Sequence, residues 1–444
     1  MMPELRPAAG GWPIRRSLRS NFAWTLAGNL IYGACQWLIL VAIARLGNPL
    51  MVGTYALAQA ITTPVMMFSS LQLRMLQATD SKECFSFGQY LALRYLTTAA
   101  ALVAIVVWAL VGGHRAGSVF VILIVAVAKS IELLSDVYYA LVQRHEEMSR
   151  IAKSLIVRGT LSLAALGGVL YLTKSLVFAT LAVMLVWFAV FAGYDRRAPQ
   201  FCGLLSRRPV WERRPLARIA GLGLPLGVTI LLSSLNANMP RYFMEHFQGT
   251  RSLGLFSALA TIQAAGMYVV MALGNAALPR LANSYNDDDW RGFRSILLLF
   301  LGIAVALGLA TLIPVLLCGD RIISLVFGRE YAGQNRTFIW LAGGAAVSYV
   351  ASVFGYAATA SRQINLQPAA YSLIAATTAV CCYWLVPSYG GLGAAISICA
   401  ASAVCCLLYA MMCAPSMIQL RARSQIAASG KVHCLLVNSL EPSL

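Results

Sequence analysis

Charged residues are scarce in this chain of 444 residues: Asp, Glu, Lys and Arg make up only 11% of it, whereas 59% of the residues are apolar. A soluble domain carries about a quarter charged residues, so this composition excludes an ordinary soluble protein. Acidic residues are scarcer still, with 16 Asp and Glu against 34 Lys and Arg. The polar stretches are short, which argues against a separate soluble catalytic domain.

Several chemical motifs are also missing. No GxxxxGK[ST] motif occurs, so the sequence predicts no direct use of ATP. The eleven cysteines include no CxxC pair and no Cys/His ligand spacing, and we expect neither a metal site nor a cofactor. The segment 46–54, the first predicted outer loop, contains no acid. This lack of an acidic side chain weakens the hypothesis of a membrane enzyme that acts at the outer face, because such an enzyme needs carboxylates or bases there.

Apolar windows of about 20 residues, long enough to cross a bilayer, recur along the chain. They predict an all-α membrane protein with about twelve transmembrane helices. The predicted spans are 21–44, 51–73, 88–112, 118–142, 153–173, 175–194, 217–239, 254–279, 293–317, 336–360, 367–387 and 391–413.

The distribution of Lys and Arg predicts the orientation of these spans. With both termini in the cytoplasm, 23 of the 34 cationic residues fall on the inner side, 8 fall on the outer side and 3 lie within spans. This bias obeys the positive-inside rule. The net charge of +18 therefore reflects topology, and since the cations are scattered over short loops we expect no nucleic-acid partner.

The longest inner loop, 195–216, divides the spans into two sets of six. We therefore predict a cytoplasmic N-terminal segment 1–20, an N-lobe 21–194, the loop 195–216, a C-lobe 217–413 and a cytoplasmic tail 414–444 without a clear fold signal. Because six is an even number, each lobe begins and ends on the cytoplasmic side, and the two lobes run in the same direction. We therefore predict a parallel repeat. A weak match between GTYALA at 53–58 and GLFSALA at 254–260 supports the repeat.

The fourth predicted span contains three charged residues, Lys129, Glu132 and Asp136. Their spacing of three and four residues places them on one face of a helix. Because charges are costly in hydrocarbon, this face must turn towards a protein interior or a wet cavity. Arg94 and Arg158 lie at a similar depth in neighbouring spans. Together they could bind an anionic substrate, with the two acids as charge partners or ion-coupling groups, or form ion pairs that only hold helices together.

Other polar residues form a second set of candidates. Amide and cationic side chains occur on the first, second and seventh spans, where they could bind sugar hydroxyls or simply bond helix to helix. This set comprises Asn29, Gln36, Gln72, Arg74, Asn236, Asn238 and Arg241.

At these residues the chain resembles bacterial polysaccharide export flippases, the O-antigen and capsule translocases. The resemblance is carried by residues 20–80, by KSIELLSDVYYALVQRHEEM, LSSLNANMPRYFMEHFQG and VFGREY, and it extends over about 20–415. These proteins belong to the superfamily that also contains multidrug extruders and the lipid II flippase.

The resemblance implies two six-helix lobes around a central cavity that opens alternately to each face. It implies a bacterial inner-membrane protein, not an enzyme, that moves an undecaprenyl-pyrophosphate-linked oligosaccharide outwards for surface polysaccharide synthesis. Its partners would be the lipid-linked glycan, membrane lipids, a polysaccharide polymerase and glycosyltransferases. Two alternatives stay open: an ion-coupled multidrug extruder and a membrane enzyme of glycan assembly. The first span lacks the acid that multidrug extruders typically carry there, which counts against the extruder.

Overall fold

The computed structural model describes residues 18–80, 84–112, 116–201 and 208–439. The predicted segments 1–20, 195–216 and 414–444 are therefore described only in part. The described residues form helices and no β-strand, which confirms the all-α prediction. The helices are α1 Leu18–Leu46, α2 Pro49–Ser70, α3 Leu73–Thr79, α4 Phe87–Val111, α5 Ala116–Arg144, α6 Met148–Thr173, α7 Leu176–Gly193, α8 Ala198–Phe201, α9 Arg213–Asn286, α10 Trp290–Val326, α11 Asn335–Ala360, α12 Gln367–Tyr389 and α13 Gly391–Ser439.

Within the described residues, eleven helical stretches are long and apolar enough to cross a membrane. One of them, α9, has 74 residues and would be about 110 Å long as a straight helix, far more than the roughly 30 Å of a hydrocarbon core. It breaks at Gly249, whose φ of 77° and ψ of 171° are not helical. Because this break separates the predicted spans 217–239 and 254–279, the helices agree with a multi-pass protein of about twelve spans.

Two elements differ from the sequence prediction. The predicted span 51–73 runs past the end of α2, because Leu71 and Gln72 adopt left-handed φ values of 45° and 49° and interrupt the helix. The tail from 414, in which the sequence showed no fold signal, continues α13 to Ser439. This stretch is rich in Ala, Leu, Gln and Arg, which favour a helix even without a strong hydropathy signal.

The chain forms two compact units that divide between Arg241 and Tyr242, within α9. The predicted lobe bounds were set by the number of spans and stay a prediction. In the first unit α5 is the central helix and packs against α2, α3, α4, α6 and α7. Its apolar face is anchored by Tyr138, whose ring contacts Phe87 and Phe191 with centroids 5.4 and 5.7 Å apart.

In the second unit α11 packs between α10 and α13, and α12 packs against α13. The helices approach closely at small residues: a methyl group at Gly308 would lie 2.9 Å from the Ala346 Cβ. Polar side chains also connect this unit, since Gln263 donates to Ser348 at 3.2 Å and Ser348 contacts Ser402 at 2.7 Å. Small residues and hydroxyls at helix contacts are typical of membrane bundles.

The α1–α6 contact generates a stability prediction. A methyl group at Gly28 would lie 2.7 Å from the Ala152 Cα, whereas a methyl group at Gly168 on α6 would meet nothing within 4 Å. We expect Gly28→Ala to lower stability by about 1–3 kcal/mol because the helices must move apart. Gly168→Ala, the matched control, should leave the thermal unfolding midpoint in detergent unchanged or raised; equal effects of the two changes would contradict the close approach.

Candidate functional site

The three charged residues predicted on the fourth span all lie on α5, as their spacing indicated. Lys129, Glu132 and Asp136 are each half-buried. Lys129 lies near the middle of the helix, and across the described residues its ammonium group makes no hydrogen bond or ion pair. A cation at this position without a carboxylate partner can accept an anionic ligand.

Glu132 faces α1. The Tyr32 hydroxyl donates to its Oε1 over 3.1 Å, and no salt bridge to Glu132 forms within the part of the chain that the structure describes. On the facing side of α2, Gln59 donates to the Tyr55 hydroxyl at 2.9 Å. Glu132 therefore sits in a polar surrounding of phenols and amides rather than in apolar packing.

Asp136 pairs with Arg74 on α3. The Arg74 Nη1 lies 3.3 Å from the Asp136 Oδ1, and the two side chains are 37% and 27% exposed. The Arg74 Nε also donates to Gln143 at 3.2 Å, and its guanidinium lies over the Tyr139 ring, 5.5 Å from the centroid. Arg74 is therefore held in place but remains open on one side.

Arg158 on α6 has the opposite environment. Its Nη2 lies 2.8 Å from the Asp195 Oδ2, and both side chains are fully buried, with 0% exposure. Ser135 and Ser154 donate to the same carboxylate at 2.8 and 2.6 Å, and Tyr139 donates at 3.3 Å. The ion pair and its hydroxyls thus connect α5, α6 and the turn after α7.

Aromatic rings complete this buried pair. The Arg158 guanidinium lies 5.3 Å from the Trp187 ring centroid, and the Trp187 indole donates to Ser162 at 2.9 Å. In this conformation Arg158 is closed off from any substrate. Its arrangement favours the second of the two interpretations made from the sequence, an ion pair that holds helices together.

Asp195 is the residue that the sequence reasoning missed. It begins the predicted loop 195–216, where an acid beside Arg196 and Arg197 suggested a solvated surface. A usable signal lay on the neighbouring spans: Ser154 and Arg158 share one face of α6, and Ser135 and Tyr139 share one face of α5, each pair four residues apart. Polar faces of this kind require a common partner.

Arg94 on α4 is also buried, with 1% of its surface exposed. Its Nε and Nη1 atoms have no hydrogen-bond partner among the described residues. Asp136 is the carboxylate within Coulombic reach of this guanidinium. Arg94 is thus a buried cation whose nearest acid is already paired with Arg74.

The other predicted site residues occupy several places. Asn29 is exposed on α1 and donates to the Thr25 carbonyl at 2.8 Å, while Gln36 is half-buried two helical turns further along the same face. Gln72 lies at the break between α2 and α3. On α9, Asn238 is buried and accepts a hydrogen bond of 2.6 Å from Arg241; Asn236 is half-buried. The structure brings Asp136 together with Arg74 and within Coulombic reach of Arg94, while Arg158 pairs with Asp195 instead. On α9, Asn238 bonds to Ser234 and Arg241 of the same helix.

The VFGREY motif has a structural explanation in the second unit. Gly328 has a φ of 108°, which favours glycine, and this turn brings Phe327 and Tyr331 to a centroid distance of 5.9 Å. Tyr331 is 1% exposed, and burial raises the pKa of its phenol. The motif therefore supports the loop between α10 and α11 and contributes no exposed binding group at Tyr331.

Comparisons with known proteins agree with the predicted resemblance. No family model matches the sequence. The capsular polysaccharide biosynthesis protein CapF of Staphylococcus aureus is 27% identical over 381 residues, which are 85% of this chain and 94% of that protein.

Solved structures show the fold. A MOP superfamily transporter from Pyrococcus furiosus, described as having a binding pocket of reversed polarity, has a TM-score of 0.60 at 15% identity, over 93% of this chain and 97% of that one. The MATE transporter VcmN of Vibrio cholerae has a TM-score of 0.60 at 13% identity, over 91% of this chain and 96% of that one. The chain has the fold of MOP superfamily transporters, and its similarity to CapF is consistent with a polysaccharide exporter of that superfamily.

The buried pair generates a prediction about stability. Removing one member of a buried ion pair costs about 3–5 kcal/mol because it leaves the other charge without a partner. We therefore expect Arg158→Met and Asp195→Asn each to lower the thermal unfolding midpoint strongly, and the double variant to be less destabilised than the sum of the two.

The exposed neighbour Arg196 provides the control, since Arg196→Gln should leave the midpoint unchanged. Additive losses in the double variant would show that the two side chains do not stabilise the unit as a pair.

Proposed function

We propose that this protein is a flippase that moves an undecaprenyl-pyrophosphate-linked oligosaccharide unit across the bacterial inner membrane for surface polysaccharide synthesis, by alternating access. The observation that carries the proposal is a half-buried face of α5 with two cations beside it: Lys129, which makes no ion pair in the described chain, and Arg74, which is paired with Asp136 but partly exposed. The transporter fold and the name of the CapF relative give this face a plausible cargo.

The chemistry of the cargo matches this face. A diphosphate carries several negative charges, and a lysine or arginine that binds it is attracted more strongly in a low-dielectric interior than in water. Lys129 makes no ion pair within the described chain, and Arg74 is 37% exposed and paired at 3.3 Å. A cation held in a membrane interior without such a role would be costly.

The remaining candidates receive different roles. We assign Arg158 to the structural pair with Asp195, because both side chains are fully buried. The sugar hydroxyls would be bound by the amides and the cation of the second set, for which Asn29, Gln36, Gln72, Asn236, Asn238 and Arg241 remain the candidates. Within the described chain, Glu132 accepts a hydrogen bond from Tyr32 alone, and it remains a candidate for ion coupling.

The proposal includes a location and partners. Both termini would lie in the cytoplasm, as the distribution of Lys and Arg predicts. The protein would receive its cargo after glycosyltransferases have built it, and a polysaccharide polymerase would use the cargo on the outer side. The protein itself would catalyse no covalent reaction.

The multidrug extruder remains the second candidate, since several solved structures of this fold are multidrug transporters. The sequence of α1, Leu18–Leu46, contains no acid, whereas a cationic drug requires a negative partner. The half-open face also carries Glu132 and Asp136, but Lys129, Arg74 and the buried Arg94 outnumber these acids by one positive charge. This charge favours an anionic cargo. Drug-resistance assays with and without the gene would separate the two functions.

The proposed role of Lys129 is tested by export of the glycan. In a strain that makes the surface polysaccharide, Lys129→Ala should reduce export about tenfold or more, the factor expected when one charged contact is lost. Lys129→Arg should retain part of the export because the charge remains. The measurement is surface polysaccharide per cell, at matched levels of the protein in the membrane.

Lys174, which lies at the end of α6 beside the Tyr171 ring, provides the control, since Lys174→Gln should export normally. Normal export by both Lys129 variants at normal protein levels would show that Lys129 does not contact the cargo.

A further inference from the structure

We propose that Asp136 exchanges cations during transport: α3 carries Arg74 from Asp136 to the diphosphate of the cargo, and Arg94 then takes over Asp136. This inference rests on the proposed function and names the helix and the residues that respond to the cargo. It follows from three observations: a strained joint before α3, the close packing of α9 on that joint, and a buried cation without a partner.

The first observation is the joint between α2 and α3. Leu71 and Gln72 are consecutive, neither is glycine, and both adopt left-handed φ values, of 45° and 49°. Such residues are costly for L-amino acids and persist where the surrounding structure holds them. A seven-residue helix that begins at such a joint can change its direction by relaxing only two residues. Arg74 lies on its first turn.

The second observation is the packing of this joint against α9. Gly223 on α9 packs directly on Leu71, and a methyl group there would lie 2.7 Å from the Leu71 carbonyl oxygen. Gly227, one turn further along α9, lies so close that a methyl group would be 3.0 Å from the Leu71 side chain. The two glycines thus leave room for the left-handed joint, and α9 holds it in position.

The third observation is Arg94. Its guanidinium is 1% exposed, and its Nε and Nη1 atoms have no hydrogen-bond partner in the described chain. It lies seven residues into α4, and Asp136 lies eight residues before the end of the antiparallel α5, so both are about 10 Å from the same end of the packed pair. An unpaired buried cation is costly, and a free Asp136 would relieve that cost.

The exchange follows from the unequal environments of the two arginines. The Arg74–Asp136 pair is partly exposed, with a distance of 3.3 Å, so it is weak and can be replaced by a diphosphate, which carries more charge. Without Arg94, the departure of Arg74 would leave Asp136 as an unpaired acid. With Arg94, the same step leaves no unpaired charge, because Asp136 gains a new partner and the buried Arg94 guanidinium gains its first. Binding of the cargo is thereby coupled to an internal ion pair.

A double-mutant cycle with the full-length protein in nanodiscs tests the exchange. Inorganic pyrophosphate serves as the probe, and its affinity is measured by calorimetry for the wild type, Arg94→Met, Asp136→Asn and the double variant. Arg94→Met should weaken binding about tenfold, within the usual range of coupling between sites. Asp136→Asn should strengthen binding, because Arg74 is then free.

The combination separates coupling from direct contact. In the Asp136→Asn background, Arg94→Met should change the affinity by about twofold or less, because there is no carboxylate left to take over. The same tenfold loss in both backgrounds would overturn the exchange, since Arg94 would then act on the anion directly or on the fold alone. A wild-type protein that does not bind pyrophosphate would overturn the proposed function itself.

A second pair of variants tests the joint without changing any charge. Gly223→Ala should push the joint off α9, favour the state in which Arg74 has left Asp136 and strengthen pyrophosphate binding several-fold. Gly221→Ala on the same helix is the matched control, because a methyl group there meets nothing within 4 Å. Unchanged or weaker binding in Gly223→Ala would contradict a movable α3.

Discussion

The first unit depends on one electrostatic constraint: a charge inside a membrane bundle must find its partner within the protein. The Arg158–Asp195 pair meets this constraint with both side chains fully buried and the carboxylate also bound by Ser135, Ser154 and Tyr139. The Arg158 Nε and Nη1 atoms have no hydrogen-bond partner among the described residues, but unlike Arg94 this guanidinium has its own carboxylate. Through this pair α5 is tied to α6 and to the end of α7. This fixed arrangement holds the other charges of α5 at defined positions, where they can bind and exchange partners.

The charges around α5 therefore separate into two kinds. The Arg158 guanidinium is fully buried against Asp195, while Arg74 is partly exposed and follows a strained joint. Lys129 lies about two helical turns before both pairs along α5 and makes no ion pair in the described chain. A transporter needs both kinds, because binding energy changes a conformation only where the two states differ in their contacts. The half-open pair supplies that difference, and the closed pair preserves the helix bundle.

Much of the fold could be predicted from hydropathy, because each span must be apolar for about 20 residues and this signal is local. The face of α5 was also predictable, since three charges in one apolar run fix a helix side. The features that could not be predicted depend on contacts between residues that are distant in the sequence. The acid of Asp195 looked like part of a solvated loop, and only packing shows that it is buried. The joint at Leu71 and Gln72 lies within an apolar run and depends on glycines about 150 residues away in α9. The helical tail lacks an apolar window of about 20 residues, so hydropathy did not predict it.

We propose that Lys129 on α5 and Arg74 on α3 carry an anionic lipid-linked glycan across a bilayer. The most direct measurement is translocation in proteoliposomes that contain only this protein and an undecaprenyl-pyrophosphate-linked oligosaccharide, followed by the accessibility of the sugar to an external enzyme. We expect the purified protein to move the glycan to the opposite leaflet without ATP, and Lys129→Ala to abolish most of this movement. A glycan that stays in its original leaflet with the wild-type protein, or that moves equally well with Lys129→Ala, would contradict a transport role for these cations.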